Sequence, residues 1–271
     1  DFGYITPTQL VQRTSNTFQT LEKMERFEGH FYNWYDTQTI QPLHPKYVST
    51  VDSGNLAGHL LTLRQSFLAQ ADEKVIHRNY VSGLHDVGRI IGKLLSPEDQ
   101  NLFTDLLNHF KEVNSFTTVR QYKTFLDDSL ERYYAVISKI KTDRKSDVFH
   151  WLTGLESQLS QLIAEVNTIS FWPILKEYSQ NLDSGIPEIP TLRELAMLPH
   201  SIGEKLSQSG LLNKDAELTW IEENNSAIQQ LSLFARERIS KLHLLAEQCY
   251  KFADMQYDFL YDKSQRLLSI G

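Results

Sequence analysis

"IQQLSLFARERISKLHLLAEQCYKFA", residues 228–253, is the stretch whose reading decides the fold. Ile228, Leu231, Ala235, Ile239, Leu242, Ala246, Cys249 and Ala253 recur at steps of three and four, which draws one apolar seam along a single long helix. The pattern predicts a helix over 217–257. Its outer face, "ARERISK", is a solvated one, and the seam is expected to pack on the helix before it rather than on a partner chain.

Working outward, helix signals dominate. Thr6-Pro7-Thr8-Gln9 supplies a cap, a proline at the first helical position and a Gln three residues after the cap. Val11, Thr14, Phe18, Leu21 and Met24 then mark a buried stripe, with Gly29 expected to end that helix. Asp52 reads as the N-cap of a helix running to Ala71. A weaker helix covers 75–95, where Gly83 and Gly88 are expected to permit close helix packing. Ser96-Pro97-Glu98-Asp99 opens another. Further helices are expected over 116–141, 145–168 and 191–208. Residues 171–190 hold three prolines and Asp183-Ser184-Gly185, and read as an irregular crossover. "KYVSTV", residues 46–51, is the one alternating run, and no convincing internal repeat stands out. The fold class is all-α: antiparallel helical hairpins closed by a long C-terminal helix. The expected division is a motif-bearing α/α hairpin over 1–71, a helical bundle over 72–258 and the start of another module over 259–271.

The chain has 271 residues with a net charge of −7, which argues against a nucleic-acid partner. Its single cysteine, Cys249, excludes an internal disulfide. No apolar run approaches the ~20 residues that cross a bilayer, so no membrane contact is expected of these residues. The chain opens without Met and closes on an apolar "LLSIG", and both ends read as cuts in a longer protein. Nine histidines invite a metal site, but none falls in HExxH, and His77 and His85 share a helical face without an obvious carboxylate to complete a set. No GxSxG elbow, Walker loop or GxGxxG occurs. No metal, cofactor or catalytic residue is assigned.

"NWYDTQTIQPLHPKYVSTVDSGNLAGHL", residues 33–60, is too elaborate for a plain connection. Trp34, Tyr35 and Tyr47 offer flat apolar rings with polar edges, suited to the apolar faces of sugars. Asp36, Asp52 and Asn55 offer acceptors and donors for hydroxyls. With Asp52 as a cap, the N–H groups of Ser53, Gly54 and Asn55 are expected to stay partly free for an oxygen-rich ligand. The plainer reading makes Asp52 only a cap and the rings only a plug beneath a loop.

The segment from Arg13 to Gln65, with its "GHFYNWYDT" and "YVSTVDSGNLAGHL", resembles a segment of the bacterial cyclic β-1,2-glucan synthases. "FLYDKSQRLLSIG", residues 259–271, resembles the start of that family's glucoamylase-like module, with Leu268 where the family usually carries Phe. Residues 72–250 match only in helical, leucine-rich character. The resemblance implies a large enzyme anchored at the cytoplasmic side of the inner membrane. One module would elongate β-1,2-glucan from UDP-glucose, a helical α/α toroid would close it by transglycosylation, and a phosphorylase-like module would trim it. These residues would begin the helical module and pack on the remainder of their own polypeptide. Retaining chemistry needs two carboxylates about 5 Å apart, and the family's pair belongs beyond Gly271. Asp36 and Asp52 are then contacts to glucose hydroxyls. A helical spacer with no ligand site and a β-1,2-glucan hydrolase are the competing readings.

Overall fold

The computed structural model describes residues 2–111, 116–179, 188–208 and 214–271. Its helices are α1 (Pro7–Leu21), α2 (Thr50–Ala69), α3 (Asn79–Leu94), α4 (Pro97–His109), α5 (Val119–Ile137), α6 (Asp147–Asn167), α7 (Trp172–Ser179), α8 (Leu192–Gln208) and α9 (Lys214–Ala253). Two short antiparallel pairs accompany them: β1 (Arg26–Phe27) with β2 (His30–Phe31), and β3 (Tyr261–Asp262) with β4 (Leu267–Leu268). The protein is all-α. None of the described helices is long and apolar enough to cross a membrane.

The chain forms two compact units, Asp1–Gln9 with Lys74–Arg236, and Leu10–Glu73 with Glu237–Gly271. In the first, α3 packs on α4 and α6, and α5 packs on the same two, so the four close into a bundle. Leu84, Ile91, Phe103, Leu155 and Leu159 are fully buried in its interior, and Ser129, Gln158 and Glu165 are buried with them. Tyr133 carries a polar atom into this interior, and its hydroxyl donates to the Leu152 carbonyl at 3.0 Å. Burial raises that phenol well above its ordinary range. Gly83 makes close packing possible, since a Cβ there would lie 2.5 Å from the Gly3 carbonyl oxygen.

Local chemistry starts these helices. Thr6 Oγ1 accepts the Gln9 N–H at 3.2 Å while Gln9 Oε1 accepts the Thr6 N–H at 3.0 Å, the expected reciprocal box. Ser96 caps α4, with Pro97 following. Thr118 and Gln121 form a second reciprocal box at α5. Within α8, Pro199 removes one backbone donor. Nearby, the Ala196 carbonyl accepts from Ser232 Oγ at 2.8 Å and Arg236 Nε at 3.1 Å.

The seam of α9 is as the sequence places it. Ile228, Leu231, Ala235, Leu242, Ala246 and Cys249 are buried, while Ile239 and Ala253 are half-buried. Cys249 has no exposed surface, and burial pushes its thiol up to about 11.

Four local expectations are corrected. α1 ends at Leu21, and Gly29 instead turns β1 into β2 with φ +88°, next to Glu28 at φ +49°. Asp52 is not the cap of α2; Ser49 is, with Asp52 in the first turn. "KYVSTV" is therefore not a strand but the approach to a helix. Trp172–Ser179 is helical, where a wholly irregular crossover was expected. Asp183-Ser184-Gly185 lies outside the described residues.

Candidate functional site

The second unit gathers the residues of the 33–60 stretch around the first turn of α2. Trp34 to Leu43 fold back as a hairpin, with the Leu43 N–H on the Trp34 carbonyl at 2.9 Å and the Asp36 N–H on the Gln41 carbonyl at 2.9 Å. Its tip is held by Asp36, whose Oδ1 accepts the N–H groups of Gln38 and Thr39 at 3.0 and 2.7 Å and the Thr39 hydroxyl at 2.9 Å. The bonds from Thr39, then Gln38, hold this carboxyl below the usual aspartate range. Ile40, whose N–H donates to the Asp36 carbonyl at 2.8 Å, sits at φ +54°, a left-handed conformation that a β-branched side chain resists.

Tyr35 anchors the hairpin base. Its hydroxyl donates to the Glu25 carbonyl at 2.7 Å and accepts the Tyr32 N–H at 2.9 Å. Partial burial raises the phenol. Lys46 pairs with the Glu25 carboxylate and lies over the Tyr32 ring, and the bond to Glu25 raises its ammonium.

Trp34 is turned the other way. It is 53% exposed and stacks on Tyr47 with ring centroids 6.1 Å apart and planes 29° apart. Beside this pair, Asn33 ties three elements together. Its N–H donates to the Tyr47 carbonyl at 2.9 Å, its Oδ1 accepts the Ser49 N–H at 3.1 Å, and its Nδ2 donates to Asp52 Oδ2 at 3.3 Å.

Three of the four orphan donors at the N-terminus of α2 are consequently engaged within the protein. A helix start carries N–H groups with no partner inside the helix. Here the Ser49 N–H goes to Asn33, the Thr50 N–H to the Ile270 carbonyl at 3.0 Å, and the Asp52 N–H to Ser49 Oγ at 3.2 Å. The Ser53 N–H, expected to be partly free, donates to the Ser49 carbonyl at 3.0 Å. Gly54 and Asn55 lie in the helix beyond the orphan positions. What the turn leaves outward is the exposed side chains of Asp52 and Asn55, one helical turn apart.

His30, which sequence reasoning passed over, holds this turn from beneath. It has no exposed surface; its Nδ1 lies 2.8 Å from Ser53 Oγ and its Nε2 2.8 Å from the Gln256 carbonyl oxygen. A carbonyl only accepts, so Nε2 carries a proton, and a neutral ring then accepts the Ser53 hydroxyl at Nδ1. The edges of Tyr257 and Phe259 complete its enclosure.

The structure therefore divides the sequence-derived candidates. Trp34 and Tyr47 pair as a flat platform, and Asp52 adjoins it through Asn33, with Asn55 following on α2. The Tyr35 hydroxyl is committed to Glu25 and Tyr32 before the hairpin, and Asp36 Oδ1 to the hairpin tip. Asn33, Ser49, His30 and Ser53 were missed. Of these only Ser49 left a signal, since Ser49-Thr50-Val51-Asp52 has the spacing of a cap followed by an acid. Among the described residues no cluster of His, Cys, Asp or Glu has the grouping that holds a metal ion.

A general acid needs a raised pKa, and the Asp36 carboxyl is held low. A flat ring beside a carboxylate and an amide is the equipment that grips a polyol by its apolar face and its hydroxyls.

No family model matches the chain. Across its whole length it is 26% identical, over 278 aligned residues, to the cyclic beta-(1,2)-glucan synthase NdvB of Rhizobium meliloti (strain 1021). The chain is similar to a cyclic glucan synthase. It spans 8% of that enzyme's length. The similarity extends through the residues between the two matching motifs, where the sequence alone offered only helical character.

Proposed function

We propose that this chain is a helical portion of a glucan-handling enzyme and contributes a saccharide-binding surface without activity of its own. The observation that carries the reading is the stack of exposed Trp34 on half-buried Tyr47, with Asp52 tied beside it. Trp34 and Tyr47 supply the platform, Asp52 and Asn55 the hydroxyl contacts, and Tyr35 and Asp36 the shape of the hairpin that presents them. By analogy with the similar synthase the saccharide is a β-1,2-glucan. The portion then belongs to the module that closes the glucan by transglycosylation, within an α/α toroid completed by the rest of the polypeptide. Use of UDP-glucose and anchoring at the cytoplasmic side of the inner membrane belong to that larger enzyme.

The test is a titration of linear β-1,2-glucooligosaccharides, with β-1,3- and β-1,4-linked chains as controls, followed by heat and tryptophan fluorescence. Saturable binding selective for the β-1,2 linkage is expected. Asp52→Asn is expected to weaken it while leaving the melting temperature nearly unchanged, because Asp52 does not cap α2. Absence of binding to every linkage would sink the reading. It would favour the spacer reading instead, which draws on the commitment of the Tyr35 hydroxyl and Asp36 Oδ1 to contacts within the protein.

A further inference from the structure

The hairpin at Trp34–Leu43 has a counterpart that the sequence did not disclose. Residues 260–269, "LYDKSQRLLS", are built to the plan of residues 34–43, "WYDTQTIQPL". Tyr35 faces Pro42 across the first hairpin, and Tyr261 faces Leu268 across the second. The Leu43 N–H donates to the Trp34 carbonyl, and the Ser269 N–H to the Leu260 carbonyl at 2.7 Å. Asp262 Oδ1 accepts the N–H groups of Ser264 and Gln265 at 2.8 and 3.2 Å and the Ser264 hydroxyl at 2.6 Å, as Asp36 does with its own loop. Arg266, at φ +57°, occupies the left-handed position of Ile40.

Both hairpins are fastened to the same helix start. The first reaches α2 through Asn33 and Ser49. The second reaches it through Ser269, whose carbonyl accepts the Thr50 hydroxyl at 2.6 Å, and Ile270, whose carbonyl accepts the Thr50 N–H. The backbone then passes directly against Tyr47, so closely that a Cβ on Gly271 would lie 2.4 Å from the Tyr47 hydroxyl. Tyr47 thus lies between Trp34 and the strand that leaves the second hairpin.

The two hairpins expose different members of the equivalent pair of positions. In the first, Tyr35 is anchored and Trp34 is 53% exposed; in the second, Leu260 is buried and Tyr261 is 43% exposed. Each presents one aromatic face from an otherwise equivalent frame.

We infer that the twin hairpins are two walls of one saccharide surface, with Tyr261 as a second stacking ring for the apolar face of a further sugar unit. This rests on the saccharide reading of the Trp34–Tyr47 platform. A ligand long enough to leave that platform meets Tyr261, so Tyr261 discriminates chain length and Trp34 does not.

The experiment compares Tyr261→Leu and Trp34→Leu with the unaltered chain, using the β-1,2-linked disaccharide and successively longer linear chains. Leu keeps apolar bulk opposite Leu268 and removes only the flat ring. Tyr261→Leu is expected to leave disaccharide affinity unchanged and to weaken long chains by up to about tenfold, the scale of one aromatic contact. Trp34→Leu is expected to weaken every length. Tyr261→Leu binding all lengths like the unaltered chain, while Trp34→Leu binds poorly, would overturn the second wall and leave the platform standing. Loss of neither affinity would remove the platform and the second wall with it. A measurement on the unaltered chain guards against a misfolded variant. Photo-CIDNP enhancement of Tyr261 is expected in the free protein and should vanish with a long saccharide; enhancement that persists at saturation would also overturn the inference.

Discussion

In the α3–α6 bundle the helices meet mainly through apolar side chains such as Leu84, Phe103, Leu155 and Leu159. Around the start of α2 the decisive atoms are nitrogen and oxygen: Asn33, Ser49, Thr50, His30 and Ser53, each engaged with a named partner. The first arrangement tolerates any apolar side chain of the right volume. The second depends on individual donors and acceptors, and in return it sets where the exposed Trp34 and Asp52 stand. A binding surface needs that kind of support, because stacking and hydroxyl contacts are lost with small displacements.

The contrast is open to attack by mutation. The largest effect is expected in the bundle, where Leu155→Ala should cost about 2–5 kcal/mol, read as a lowered unfolding midpoint. Leu61→Ala on the exposed face of α2, by comparison, should stay within about 0.5 kcal/mol. A small Leu155 effect would mean that the bundle is loosely packed.

His30→Ala comes next, at about 2–4 kcal/mol, because it empties a buried site and strands the Ser53 hydroxyl and the Gln256 carbonyl. Amide exchange should show the loss at the first turn of α2. Unaltered protection there would contradict the clamp.

Ser49→Ala should cost about 1 kcal/mol and Asn33→Ala a similar amount. The double variant should lose less than the sum of the two, since both serve one helix start. Strict additivity in thermal melts would show that the contacts act separately.

The smallest effect is a titration. Asp36 and Asp262 both have carboxyls held below the ordinary aspartate value of 3.8 by bonds within their loops. A depressed folded-state pKa contributes stability that is present above the unfolded value and is lost as pH falls through the folded one. Carboxyl carbon NMR should therefore find both hairpin tips intact until the solution is more acidic than that ordinary value. Midpoints at or above it would show that the loop bonds do not persist in solution.

Much of the helical framework was legible because helix starts are local chemistry. Thr6-Pro7-Thr8-Gln9 and Ser96-Pro97 announce themselves within four residues, and the seam of α9 repeats often enough to be read. Asp52 misled because two candidates for the cap stood three residues apart. The approach through "KYVSTV" looked like a strand, which concealed Ser49. The short strands were invisible, since pairs such as Arg26–Phe27 are too brief to show any period. Of the site, the residue types could be recognised but not the partnerships. Nothing local tells that His30 meets Gln256, or that Thr50 meets Ser269, because those contacts join opposite ends of the chain. The matching hairpins escaped for a related reason: they share a backbone plan while few of their side chains agree beyond Tyr-Asp.

Cys249 has a practical corollary. The only thiol in the chain is sealed on the buried face of α9 with its pKa pushed up to about 11, so the native surface is silent to maleimides. A cysteine placed at Gln38 and another at Lys263 would then be the only reactive handles, one on each hairpin tip. Spin labels or dyes attached there would report the distance between the tips, with and without added saccharide.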